Sequence, residues 1–142
     1  GPLIRVHPPA GAPAPALAHA IHHPFTPQVT LAGWQGTLRQ PRSGPSLRVS
    51  LAWQVAAPPP ADFKISARLL AADGALLAQT DDFPVHNTYP PSRWRGGEVV
   101  IDGYDLPLAA VPAGPVSLLI LLYAPADGRE IGRWQGEMGQ MY

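Results

Sequence analysis

The sequence predicts an all-β fold: an antiparallel β-sandwich of about seven or eight strands behind a proline-rich N-terminal arm. Three observations predict it. Short segments alternate apolar and polar residues with a period of two, as half-buried strands do. Asp-Gly pairs at 73–74 and 127–128 stand beside such segments, where glycine's tolerance of positive φ suits a tight hairpin. No long stretch carries a 3.6-residue apolar period, so no long helix is expected. Local pattern leaves the strand order open between an immunoglobulin-like and a jelly-roll arrangement.

Residues 1–27 hold seven of the 19 prolines and read as an arm or linker, partly polyproline, with a short helical turn at 15–22 as an option. Gly1-Pro2 has the form of a protease scar left by an expression tag, which implies an excised domain. The sandwich is expected over 28–142. Its first strand is 29–34. Residues 46–54, "SLRVSLAWQ", put Leu47, Val49, Leu51 and Trp53 on one face. Residues 63–70 do the same with Phe63, Ile65, Ala67 and Leu69. The Asp73-Gly74 turn leads into a returning strand at 76–80. A further strand is expected at 98–104. Residues 116–123, "VSLLILLY", are apolar on both faces, as a central strand requires. The Asp127-Gly128 turn then leads into 131–134.

Composition narrows the function. At 142 residues the chain is long enough for one domain with a real core. Ten basic residues balance ten acidic ones, so no basic surface for nucleic acid or anionic membrane is expected. Cysteine is absent, which removes disulfides, thiolate catalysis and cysteine-based zinc sites. The longest apolar run meets Pro125 after nine residues, against about 20 for a membrane helix, so no transmembrane segment is expected. No basic-then-apolar leader opens the chain, so no signal peptide is expected in it.

Catalytic and metal constellations are weak. Glu98 and Asp102 share a strand face about 13 Å apart at ~3.3 Å per residue. A glycosidase pair needs roughly 5–5.5 or 6.5–9.5 Å. Asp81 and Asp82 are adjacent and point to opposite faces of a strand. They lack the oxygen ladder of a calcium loop, and one of them is expected to cap the following turn. His19, His22 and His23 are the densest histidine cluster. On a helix, His19 and His23 would share a face, but no carboxylate stands near to orient them. There is no Gly-x-Ser-x-Gly elbow and no glycine-rich phosphate loop. No catalytic residue, metal site or cofactor is expected.

Four segments in order, "SLRVSLAWQ", "ADFKISARLLAADGALLAQTDDFPV", "TYPPSRWRGGEVVIDGYDLPL" and "VPAGPVSLLILLYAPADGREIGRW", resemble a β-sandwich domain at the C-terminus of bacterial multi-pass membrane proteins of the protein-mannosyltransferase-like glycosyltransferase type. The likeness spans 29–134. Its most specific pieces are Asp-x-x-Pro at 81–84, Thr-Tyr-Pro-x-Ser-x-Trp-x-x-Gly-Glu at 88–98, and Leu-Tyr-x-Pro-x-Asp-Gly-Arg at 122–129. The third strand lacks the histidine common in that family, and position 96 is glycine where proline is common. The resemblance implies a non-catalytic accessory domain on the extracytoplasmic side of a membrane. Its partners would be glycan and the membrane part of its own parent protein. It carries over no catalytic residue. The alternative is a purely structural or protein-interaction sandwich without a small-molecule ligand.

The loop "NTYPPSRWRGGE" at 87–98 is the candidate ligand site. Tyr89 and Trp94 are flat rings suited to stacking on a pyranose, and Arg93, Arg95, His86 and Asn87 offer hydrogen bonds. The same loop also suits a lid, because a connection crossing the end of a sandwich must cover the core and a Trp ring buries about 150–250 Å². Trp94 is expected to face the core and Tyr89 to be the more exposed of the two. Trp53 is expected in the core.

Overall fold

The computed structural model describes residues 17–139. The expected arm at 1–16, with its scar, lies outside the described residues. Eight strands follow in chain order: β1 (His19–Pro24), β2 (Val29–Arg39), β3 (Ser46–Val55), β4 (Lys64–Ala71), β5 (Leu76–Asp82), β6 (Val99–Pro107), β7 (Val116–Tyr123) and β8 (Glu130–Gly139). They form two four-stranded sheets, ordered β1-β2-β3-β6 and β5-β4-β7-β8, and every neighbouring pair is antiparallel. The β2, β3 and β6 strands occupy the A, B and E positions of an immunoglobulin-type sandwich, and β4, β7 and β8 the C, F and G positions. The jelly-roll order is not adopted.

The alternation read from the sequence becomes the core. Leu47, Val49, Leu51 and Trp53 of β3 face Ile65, Ala67 and Leu69 of β4 and the even-numbered residues of β7, and all are buried. Apolar on both faces, β7 lies between β4 and β8, because a central strand of this sheet keeps little of either face in water. The two Asp-Gly turns form as expected. Gly74 and Gly128 have φ of 87° and 73°, and the Asp73 and Asp127 side chains accept hydrogen bonds from the amides two residues on.

One expectation is corrected at the N-terminal side. Residues 19–24 are neither linker nor helical turn but the edge strand β1, so the sandwich begins before residue 28. Two packing interactions hold this strand. Its His19 ring stacks on Trp34 at 4.1 Å, and the His23 Nε2 lies 2.8 Å from the Arg133 carbonyl of β8 in the other sheet. Leu17 packs on Ala52, Val99 and Ile101, on the outer face of the first sheet. No helix among the described residues is long and apolar enough to cross a membrane.

Candidate functional site

The 83–98 connection joins β5, an edge of one sheet, to β6, an edge of the other. A chain crossing there must cover the core between the sheets, and its apolar residues do so. Trp94 is 0% exposed, with its ring edge-on to Phe63 at 5.7 Å and its Nε1 donating to the Tyr89 carbonyl at 2.9 Å. Tyr89 is 7% exposed, where greater exposure was expected. The physical reason is its phenol, which donates to Glu98, a carboxylate that also accepts from the Arg95 amide at 2.6 Å. A buried acceptor thus draws the Tyr ring inward with it. Neither ring offers a flat face to solvent.

The polar members of the loop lie apart from those rings. Arg93 and Asn87 are exposed. The His86 ring bridges two elements, with Nδ1 2.8 Å from the Asp82 carboxylate and Nε2 3.1 Å from the Gly103 carbonyl. Val85, His86 and Asn87 all have positive φ, at 53°, 48° and 64°. Three consecutive non-glycine residues in the left-handed region are costly, and β-branched Val85 is the least suited of them. The carbonyl of Val85 accepts from the Thr88 amide and hydroxyl, which holds the turn in place.

The carboxylates divide as their burial dictates. Asp102 points inward from β6 and accepts from the Gly103 amide at 2.8 Å and the Tyr104 phenol at 2.5 Å. Burial pushes its pKa up to about 6, although the Tyr104, Val85 and Gly103 hydrogen bonds pull it down. Its partners are the Tyr104 phenol and the Gly103 amide, and it is 1% exposed. Asp82 accepts from the Phe83 amide at 2.7 Å and so caps the turn after β5, while Asp81 points to the outer face. Of the histidines, His19 and His23 are occupied with Trp34 and Arg133 as described, and among the described residues no group of three His, Cys, Asp or Glu side chains is placed to hold a metal.

A different site is assembled on the outer face of the β5-β4-β7-β8 sheet. Register places Asp81 beside Ser66, Ser66 beside Leu121, and Leu121 beside Arg133. In the next row outward, Lys64 stands beside Tyr123 and Tyr123 beside Glu130. Together Arg68, Asp81, Leu121, Tyr123, Glu130 and Arg133 line a depression of about 400 Å³, within the range of small-ligand sites. Leu121, 7% exposed, is its apolar floor. Arg133 and Glu130 form a bidentate pair at 2.5 and 3.0 Å, which holds the Glu130 carboxyl below its usual range. Burial and the Asp81 carboxylate raise the Tyr123 phenol above its ordinary value, so it stays a hydroxyl donor. The Arg68 Nε donates to the fully buried Ser66 hydroxyl at 3.0 Å. That bond fixes the guanidinium and leaves its terminal nitrogens directed to the depression.

Of these residues the sequence singled out only Asp81, weighed with Asp82 for calcium; Arg68 stood simply on the polar face of its strand. Tyr123 was readable only as the last residue of the central strand. The missing information was the pairing register, which alone brings residues 68, 81, 123, 130 and 133 together. No known family model matches the chain, and no curated protein matches it significantly.

Proposed function

We propose that this domain is a non-catalytic accessory module, extracytoplasmic and attached to a membrane glycosyltransferase-like parent, that contacts glycan through the outer face of its β5-β4-β7-β8 sheet. The carrying observation is the chemistry of the depression. Two guanidinium groups, Arg68 and Arg133, and two carboxylates, Asp81 and Glu130, surround a Tyr phenol over a leucine floor. The formal charge balances, so the site offers no net field to an ion. It offers fixed planar donors and acceptors side by side, which is what a ligand of vicinal hydroxyls needs, since each hydroxyl both donates and accepts. The apolar floor and the Tyr ring suit the C–H face of a sugar. The accessory setting and the side of the membrane rest on the resemblance of segments 29–134.

Titration calorimetry against common neutral polysaccharides tests it. Saturable binding is expected, weakened in Arg68→Ala while a melting curve still shows a folded domain. No binding across the panel would overturn it.

A second role, protein interaction, is favoured by a separate observation. Burial of Tyr89 and Trp94 removes the loop as a stacking platform, while Leu76 and Leu77 on edge strand β5 are 54% and 39% exposed. An exposed apolar edge invites pairing with another chain. Loss of capture by the parent membrane segment in the double change to Lys would support this role.

A further inference from the structure

We infer that the ligand of this face is an extended chain bound along β7 rather than a single sugar. The inference rests on the glycan role proposed above and specifies its substrate class.

A second depression, of about 340 Å³, lies on the same face at the other end of β7, lined by Gly74, Pro115, Ser117, Gln135 and Glu137 among others. The residues of β7 that point outward are Ser117, Leu119, Leu121 and Tyr123. Ser117 lines the second depression and Tyr123 the first, and six residues of strand separate them by about 20 Å at ~3.3 Å per residue. Between the two lies Leu119, 7% exposed, flanked in register by Arg68 on β4 and Gln135 on β8.

Long side chains at that middle row would normally stand up and wall off the two ends. Here each is laid along the strands by a serine. The Arg68 Nε donates to Ser66, which draws it toward the Tyr123 end, and the Gln135 Nε2 donates to Ser117 at 2.9 Å, which draws it toward the opposite end. One long polar side chain therefore serves each depression, and the leucine row runs between them. Gly128 borders the first depression and Gly74 the second, both in exposed turns at the two ends of the track. A ligand that repeats its hydroxyls along its length, over an apolar ribbon of C–H faces, matches this layout. A compact monosaccharide fills only one end.

Two linked contacts act cooperatively, because the second forms intramolecularly once the first is made. Affinity should therefore rise with chain length. The test is a calorimetric length series of glucose, mannose and galactose oligomers from monosaccharide to hexasaccharide, run on the intact chain. The expected result is a Kd that falls by at least about tenfold between monosaccharide and tetrasaccharide and then levels off. Gln135→Ala with Glu137→Ala should remove that gain and leave the monosaccharide affinity unchanged, whereas Arg68→Ala should weaken every length. All these positions are outside the core, so a melting curve checks the fold of each variant. Equal affinity for every length, or a Gln135/Glu137 variant that retains the gain, overturns the extended track while leaving glycan contact intact. No binding by any oligomer overturns both.

Discussion

The Tyr104 phenol donates to the Asp102 carboxylate at 2.5 Å inside the sandwich, with both residues about 1% exposed. A carboxylate in that position anchors structure. It accepts from the Gly103 amide as well, and it lies beside the left-handed turn at Val85 that opens the lid.

Because burial raises the Asp102 pKa from 3.8 to about 6, the ionised form is costlier in the folded protein than in the unfolded chain. The stability contributed by protonation is fully present below about pH 3.8 and is lost as pH rises through about 6. Some two units correspond to roughly 3 kcal/mol. Urea titrations should show this contribution strengthening as pH falls from 7 to 5, and Asp102→Asn should flatten the profile in that window. An unchanged slope in the variant would assign the pH dependence to another group.

Trp94→Ala should destabilise the domain by about 3–5 kcal/mol, the usual cost of removing a fully buried Trp. The ring packs on Phe63 and Tyr89 in the core between the sheets. Trp94→Phe should cost less, losing some packing and the Nε1 hydrogen bond to the Tyr89 carbonyl. Chemical denaturation of both variants measures the difference, and a near-neutral Trp94→Ala would show that the lid does not seal the core.

Gly96→Ala tests the closure of the lid on β3. A Cβ at that position would lie 2.7 Å from the Ala56 carbonyl oxygen, which is backbone and cannot swing away. A loss of about 1–3 kcal/mol is expected, as for other overpacked sites. The same substitution at Gly114, which has open space around it, should be far milder and serves as the control.

His86→Ala removes the contacts to Asp82 and Gly103 that tie the left-handed turn to β5 and β6. A cost of about 1–2 kcal/mol is expected for two partly exposed hydrogen bonds. Hydrogen exchange should accelerate at residues 85–88 and leave β7 protected. Uniform acceleration over the whole chain would mean that the ring supports the global fold instead.

Much of the fold was legible because its evidence is local. The alternation at 46–54 and 63–70 and the doubly apolar run at 116–123 each carry their burial in the residues themselves. The lid was legible in part. Two prolines before Trp94 and two glycines after it announce a ring held in one place, and it is held in the core. Tyr89 escaped because its position depends on Glu98, a charged residue that sequence alone assigns to the surface and that is 6% exposed. His19–Pro24 escaped because an edge strand with only one bonded neighbour needs little β-propensity of its own. It follows β2 and leans on Trp34.

The sequence by itself determined an all-β sandwich, its central strand, its two Asp-Gly hairpins and the inward face of its long strands. Those follow from a two-residue period and from glycine's conformational freedom, which are properties of neighbours in the chain. Only the tertiary structure decided the immunoglobulin-type strand order, the inward turn of Tyr89 and the meeting of Arg68, Asp81, Tyr123, Glu130 and Arg133 on one sheet face. These depend on which strands pair and in what register, and a shift of one residue would have turned each of those side chains to the opposite side of the sheet.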